Sequence, residues 1–351
     1  MINGKTICLA VPVYNEEKFL PALLESVTGI ADALVVLDSE STDRSREIAA
    51  NWCIDNDVRW HMELNKTIHR ADHKRTKLMQ LARQTGCDYI LQIDADNTVE
   101  AIAEIVTVIH DVYSSDILDL DAYYITKQCG ELSYDVLQLF RGDLDWKFTG
   151  IAHEYPELVE GEFTRGHLEG LIIHEAVKET GPRQRVPEHY YEHAVMIERE
   201  LMQPDLDINL RNRYLFYLAQ SWRDAGKIDR AIASYQERAR AGGWYEEVWY
   251  SLYQVCKLQQ KVTTDGNKVL MAAFECWNYL PQRREGAYML MQILMMAGMF
   301  NVAYVVGQRT EELESAEILF REPEVCDRLF PDLYANLYKK IMGVSLTLSE
   351  K

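Results

Sequence analysis

Residues 6–13 read TICLAVPV, a continuous apolar run, rich in β-branched side chains, with no polar residue after Thr6. A strand buried on both faces needs this pattern, because neither side of its pleat can carry a solvated residue. Working outward, the same unit recurs. Glu16–Val27 sets Phe19, Leu23, Leu24 and Val27 at helical spacing, and Ala33–Leu37 (ALVVL) is a second buried strand. Ser41–Trp52 follows as a helix, with N-cap chemistry in Ser41-Thr42-Asp43. Val58–Leu64 reads as a third strand, Asp72–Thr85 as a helix, and Asp88–Asp94 (DYILQID) as a fourth strand. This alternation predicts a mostly parallel sheet with helices on both faces, α/β over roughly residues 1–110. Ligands of such sheets sit at the carboxyl ends of the strands.

From Ala122 to His174 the chain is strand-rich and irregular, with strands expected at Tyr123–Lys127, Val136–Arg141 and Leu171–His174. After about Pro187 the strands stop. Leu215, Leu218, Ala219, Trp222, Gly226, Ala231 and Tyr235 then follow the spacing of a tetratricopeptide repeat, a helix-turn-helix unit of about 34 residues. Ala287, Leu290, Gly298 and Ala303 repeat it about two periods later, and Trp249–Pro281 fits between more loosely. A plain α-bundle is the alternative. The expected division is an α/β domain at 1–186 and an all-α, repeat-like domain at 187–351.

The 351 residues carry 37 Lys plus Arg against 55 Asp plus Glu, a formal net charge of −18. That field repels polyanions and argues against duplex nucleic acid or an anionic membrane as partner. No stretch reaches the ~18 apolar residues of a membrane span. Residues 1–5 lead straight into a strand without the features of a secretory signal. The seven cysteines form no C-x-x-C pair, which predicts reduced core thiols in a cytoplasmic protein.

Three polar sets stand at predicted carboxyl ends: Pro12-Val13-Tyr14-Asn15-Glu16-Glu17, Asp38 with Ser41-Thr42-Asp43, and Asp94-Ala95-Asp96. If the chain stays extended, Asp94 and Asp96 point to one side. Paired carboxylates suit a hard divalent cation, Mg²⁺ or Mn²⁺, which shares oxygen ligands with phosphates. Such an ion would let an acidic protein hold a nucleotide diphosphate.

With these residues in order, the chain resembles the family 2 glycosyltransferases of the GT-A fold, a Rossmann-like nucleotide-sugar domain. The matching tracts are VPVYNEEKFLPALLES, VVLDSESTDRSREIA and DYILQIDADN. GIAHEYPEL, LIIHE and FYLAQSWRDAGKIDRAIASYQER resemble a bacterial subgroup in which helical repeats follow the transferase domain. The resemblance implies that Pro12, Tyr14 and Glu16 border the nucleoside and that Asp38 accepts the uracil N3–H, favouring a UDP-sugar. It implies that Asp94 approaches the ribose or the metal and that Asp96 ligates the metal. Arg75 lies where the family often has an arginine near the diphosphate, although Asp72-His73-Lys74 replaces the usual small residues. For Ser41 and Asp43, helix capping competes with ligand contact.

An inverting transfer needs one base for the acceptor proton and stabilisation of the leaving diphosphate. Glu154 is the first choice for that base, Asp143 or Asp145 the second. His153 is expected to bind donor phosphate or orient Glu154, and His174 to complete the metal shell or to be a satisfied core histidine. Trp146 is expected either to stack on a sugar or to sit in the core. Arg70, Lys74 and Lys77 share a helix face and, with His69, His73 and Arg75, make the densest cationic cluster, either a solvated surface or a phosphate contact. Arg183 and Arg185, beside Gly181-Pro182, suggest a lid over the diphosphate.

The expectation is therefore a metal-dependent inverting glycosyltransferase acting on an acceptor hydroxyl or thiol. The helical array favours a peptide or protein acceptor, with homodimerisation through the array as its competing use. A nucleotidyltransferase would want a glycine-rich loop after the first strand, which VPVYNEEKFL lacks. A non-catalytic scaffold would not need Asp94, Asp96 and Glu154 intact, and a glycosidase would not need Asp38.

Overall fold

The computed structural model describes residues 1–68, 70–109, 113–115, 118–130, 132–176, 187–314 and 320–342. His69, Gly181, Pro182, Arg183 and Arg185 lie outside the described residues. The chain separates into two compact units, Met1–Gln184 and Arg185–Lys351.

In the first unit, β1 (Ile7–Val13), β2 (Ala33–Asp38), β3 (Arg59–Leu64) and β4 (Tyr89–Gln92) alternate with α1 (Leu20–Ser26), α2 (Ser45–Asp55) and α3 (Ala71–Arg83). These four strands are parallel, in the order β3-β2-β1-β4. The sheet then continues through strands for which parallel order does not hold: β5 (Asn97–Ile109), β6 (Tyr113–Ser115), β7 (Ala122–Cys129), β8 (Leu132–Arg141) and β11 (Arg165–Glu175). Its full order is β3-β2-β1-β4-β8-β7-β11-β5-β6. The expectation of a mostly parallel sheet is corrected here. β8 pairs antiparallel with β4, and of the later pairs only β7 with β11 is parallel. Helical connections allow the parallel half, and the short link between β7 and β8 suits their antiparallel pairing, whereas β8 with β4 and β11 with β5 join strands distant in sequence. β9 (Trp146–Thr149) and β10 (Tyr155–Leu158) form a separate antiparallel hairpin.

Both faces of β1 are buried, as its sequence requires. Ile7, Leu9, Val11 and Val13 join Leu20, Leu23 and Leu24 of α1 and Ala49 and Cys53 of α2 in one core. Cys8 and Ala10 face the other way, into a core with Leu78, Met79 and Leu81 of α3 and with Phe140, Trp146 and Phe148. Trp146 is thus a core residue: it lies against Phe140 and Phe163 and donates from Nε1 to the Arg141 carbonyl. Sugar stacking by Trp146 is excluded by that burial. Six of the seven cysteines are buried, and burial pushes the Cys53 and Cys256 thiols up to about 12.

The second unit is helical: α4 (Pro187–Leu201), α5 (Ile208–Asp224), α6 (Ile228–Ala241), α7 (Tyr245–Val262), α8 (Gly266–Tyr279), α9 (Arg284–Met296), α10 (Phe300–Glu311), a π turn at Val325–Leu329 and α11 (Phe330–Met342). Each helix packs on its neighbours in sequence. The two glycines of the repeat pattern end helices in the same way. Gly226 and Gly298 have φ of 70° and 74°, and the residue after each reaches back, Lys227 N–H to Trp222 O and Met299 N–H to Leu294 O. This C-terminal motif needs a left-handed residue, which glycine adopts without a Cβ clash. Among the described residues no helix is long and apolar enough to cross a membrane.

Candidate active site

The carboxyl ends of β1 and β2 are locked together before any ligand is considered. Asn15, at φ 52°, donates its N–H to Ser41 Oγ at 3.0 Å and accepts at Oδ1 from Thr42 N–H at 2.8 Å. Glu16 N–H donates to Ser45 Oγ at 2.8 Å, and Glu17 N–H to Asp43 Oδ2 at 3.0 Å. Arg44 N–H returns a bond to Glu17 Oε2 at 3.1 Å. Asp43 Oδ1 also accepts from Ser45 N–H, so Asp43 serves the start of α2 although Arg44 stands at the N-cap position. Burial works to raise the Asp43 pKa, but the bonds from Ser45 and Glu17 outweigh it and hold it below the usual value. Ser41 and Asp43 thus have structural partners.

Asp38 closes β2 fully buried, its Oδ1 accepting from Ser41 N–H at 2.9 Å. Its Oδ2 is buried without a hydrogen-bond partner, an acceptor awaiting a donor.

Beyond these loops opens a cleft of ≈ 300 Å³ lined by Pro12, Val13, Tyr14, Ser39, Ala71, Lys74, Arg75, Asp94 and Glu154. The lining comes from the ends of β1, β2 and β4, from the first turn of α3, and from the β9–β10 connection. Ala71, Lys74 and Arg75 recur at i, i+3 and i+4, which puts them on one face at the positive end of the helix dipole. Arg75 joins the opposite wall: its Nε donates to Glu154 Oε1 at 2.6 Å and its Nη2 lies 2.9 Å from Asp94 Oδ1. Burial opposes the charge on Arg75, yet Asp94 and Glu154 overcome it and raise the guanidinium pKa above its ordinary value. Arg75 therefore stays protonated at every accessible pH.

Glu154 reaches this position through a tight connection in which Gly150 has φ 114° and His153 φ 51°. Positive φ is uncommon for a histidine. β9 is in turn pinned to α3, since Phe148 N–H donates to Thr76 Oγ1 at 2.8 Å one residue beyond Arg75.

The chain does not stay extended at Asp94-Ala95-Asp96: β4 stops at Gln92, and a turn closed by Asn97 N–H to Asp94 O at 3.0 Å reverses it. That corrects the expected alignment of the two carboxylates. Asp96 is buried, and its carbonyl accepts from Ala176 N–H at 3.1 Å. His174 Nε2 sits 2.7 Å from Glu100 Oε2. Glu16 is buried, and neither it nor Asp38, Asp96, His153 or His174 lines the cleft. Asp143 and Asp145 also lie outside the lining, beside Arg141 and Arg83. Of the cationic helix face, Arg70 pairs with Asp72 and Lys77 with Glu63, whereas Lys74 lines the cleft. The sequence does not single out Ser39 or Ala71; the start of α3 is the signal that could have marked Ala71. Among the described residues no cluster of three His, Cys, Asp or Glu side chains is arranged to hold a metal ion.

Residues 8–117 match the family model described as Glycosyl transferase family 2, so the resemblance read from the sequence is borne out over that stretch. Two curated relatives share 31% identity over 156 residues: the SPbeta prophage-derived glycosyltransferase SunS of Bacillus subtilis (strain 168) and glycosyltransferase SunS of Bacillus phage SPbeta. The match covers 43% of this chain and 35% of each relative, so the chain spans about a third of the curated relatives it matches. Among solved structures, glucosyl-3-phosphoglycerate synthase from Mycobacterium tuberculosis is 26% identical, with 27% of this chain and 34% of that one covered and a TM-score of 0.21. A tetratricopeptide-repeat protein of Thermus thermophilus is 13% identical, with 44% and 75% covered and a TM-score of 0.28.

Proposed function

We propose that the chain is an inverting glycosyltransferase that takes a sugar from a nucleoside-diphosphate donor, most simply a UDP-sugar. The observation that carries this reading is Arg75, which bridges Asp94 and Glu154 across a cleft at the carboxyl ends of the parallel strands. Tyr14, more than half exposed on the cleft wall, offers a face for the base to stack on. Asp38 Oδ2 is an unfilled acceptor of the kind that an N–H donor such as uracil N3 needs, although it is fully buried and outside the cleft lining. Lys74 and Arg75, at the start of α3, supply the cations a diphosphate needs inside a chain of net charge −18.

Asp94 and Asp96 supply, within one turn, the hard oxygen donors that Mn²⁺ or Mg²⁺ takes, an ion that binds through one or two carboxylates and completes its shell with phosphate oxygens, although Asp96 is buried outside the cleft lining. When bound, the ion would neutralise charge on the leaving diphosphate. His174, whose Nε2 meets Glu100, lies outside the cleft lining, and the ion is assigned to the two aspartates alone. Glu154 is the base: as the acceptor oxygen or sulfur forms its bond to the anomeric carbon, the bond to the diphosphate oxygen breaks and the acceptor proton passes to the Glu154 carboxylate. His153, at φ 51° in the same connection, precedes Glu154 and is assigned to orient it.

The helical unit, read as a tetratricopeptide-like array, supports a peptide or protein acceptor over a small molecule. A transfer assay with radiolabelled UDP-sugars tests the reading, run alongside sugar release to water for wild type and Glu154→Gln. Turnover of one donor that falls at least a hundredfold in Glu154→Gln supports it. Absence of turnover with every nucleoside-diphosphate sugar, in a folded protein that also binds none, overturns it.

A further inference from the structure

Strand β3 lies at one edge of the nine-stranded sheet, and among the described residues nothing pairs with its outer side. Asn65 N–H donates to Asp38 O at 2.7 Å in the parallel ladder with β2. Alternation along the strand then turns the backbone groups of Arg59, His61 and Glu63 towards β2 and those of Trp60, Met62 and Leu64 outward. The strand contains no proline, and its ladder with β2 runs from Arg59 to Leu64 without a register shift. Trp60 and Leu64 are exposed, and a cleft of ≈ 310 Å³ lined by Arg59, Trp60 and His61 runs beside the edge. An uncovered edge of this kind is a template for another strand.

We propose that the partner is β3 of a second copy of this chain, joined antiparallel about a two-fold axis through His61. The sequence RWHMEL is self-complementary in that register. Trp60 faces Met62 of the second copy, and both residues turn their N–H and C=O outward, so they form the reciprocal hydrogen-bonded pairs that an antiparallel ladder requires. Arg59 faces Glu63 of the second copy, and by symmetry Glu63 faces its Arg59. These side chains lie on the α3 side of the sheet, where Lys77 Nζ is 3.1 Å from Glu63 and Arg59 reaches the Thr85 carbonyl at 3.3 Å. Opposite charges directly across a ladder are favourable, and like charges there are not. The charges that would blunt this edge against an unrelated strand become attractive when the strand meets itself. Among the other registers that match outward to outward groups, the one of equal overlap is centred on Met62. It sets Arg59 against Asn65 and loses the pair of permanent charges. This assembly is independent of the transferase reading.

Sedimentation velocity on the full chain tests it. Wild type is expected to dimerise reversibly. Glu63→Arg and Arg59→Glu each create like-charge pairs twice over and are expected to weaken the dimer roughly tenfold or more, whereas the double exchange R59E/E63R restores it. Met62→Pro removes an outward N–H while sparing the ladder to β2, where an edge strand tolerates proline, and is expected to give monomer. Thermal unfolding of each variant establishes that it is folded; should Glu63→Arg fail to fold beside Lys77, Met62→Pro decides. A monomeric wild type overturns the proposal. So does a dimer indifferent to Met62→Pro, which would rest on another surface such as the helical unit, or a double exchange that restores nothing.

Discussion

Arg75 and Glu154 stand 79 positions apart in sequence and meet at 2.6 Å, Nε to Oε1, in the lining of the cleft. The guanidinium also holds Asp94, so one side chain from α3 ties the end of β4 to the β9–β10 connection. Two carboxylates can stand together in this acidic chain because a permanently charged fork lies between them.

Replacing Arg75 by alanine removes that fork and leaves Asp94 and Glu154 facing each other. The expected cost is about 2 kcal/mol of folding stability, with donor affinity lowered roughly a hundredfold. Arg75→Lys keeps the charge but cannot span both partners, and should recover stability only in part. Chemical denaturation and nucleotide titration of the same samples measure the two effects.

Asp38→Asn retains an oxygen for the Ser41 N–H but can place a donor where Oδ2 now waits to accept. The expected result is an unchanged fold with UDP affinity reduced by about 1–3 kcal/mol, roughly five- to a hundred-and-fiftyfold. A variant that binds UDP as well as wild type would remove Asp38 from the nucleoside site.

Acid stability should depend on Asp88. Its Oδ2 accepts from both the N–H and the Oγ1 of Thr6, and these bonds hold its pKa below the ordinary carboxylate value of 3.8. A depressed folded-state pKa contributes stability that is complete above the unfolded value and is lost as pH falls through the folded one. Asp43, held low by Ser45 and Glu17, acts in the same direction. Asp88→Asn should therefore flatten the fall in Tm below about pH 4, and a pH series of melting curves checks the slope.

Gly142 follows β8 where the parallel half of the sheet meets the antiparallel half. A Cβ there would lie 2.2 Å from the Cys87 carbonyl oxygen, with the Asp88 carbonyl oxygen at 3.2 Å. Both obstacles are backbone, so neither can swing aside. Gly142→Ala should lose about 2–3 kcal/mol in denaturant unfolding.

In the helical unit, Arg283 is fully buried, 2.9 Å from Glu246 and 3.0 Å from Glu285, with its guanidinium 3.8 Å from the ring centre of Trp249. Arg283→Met strands two buried carboxylates and should cost about 3–5 kcal/mol. Its Tm is expected to fall further than that of any exposed arginine variant, such as Arg309→Met.

The parallel half of the sheet is legible in the sequence because its strands are buried on both faces and its helices carry an apolar stripe, signals that lie within a dozen residues. The repeat-like helices are legible for the same local reason, down to the terminating glycines Gly226 and Gly298. In the antiparallel half, β7, β8 and β11 are legible as strands at Tyr123–Lys127, Val136–Arg141 and Leu171–His174, but their pairing is not. β5 falls where the sequence suggests no element, and its neighbour β11 is nearly 60 residues further along the chain, so nothing local encodes the pairing. At the site, the residues at strand ends are readable because β1, β2 and β4 aim Pro12, Tyr14 and Asp94 at one edge. Lys74 reads as one of a surface cluster because helical periodicity cannot tell which face of α3 meets the cleft. The turn at Asp94–Asn97 escapes because nothing in DYILQIDADN distinguishes an extended end from a reversal, and Trp146 is ambiguous because core and sugar-stacking tryptophans share one composition.

On the proposed reading, this cleft holds a nucleoside diphosphate with the help of a divalent cation. Calorimetric titration of UDP and of GDP into the full chain, with Mn²⁺ or with EDTA, for wild type and Asp96→Ala, tests it most directly. UDP binding is expected to require Mn²⁺, to exceed GDP binding, and to be lost in Asp96→Ala. A folded wild type that binds neither nucleotide with Mn²⁺ present would contradict it.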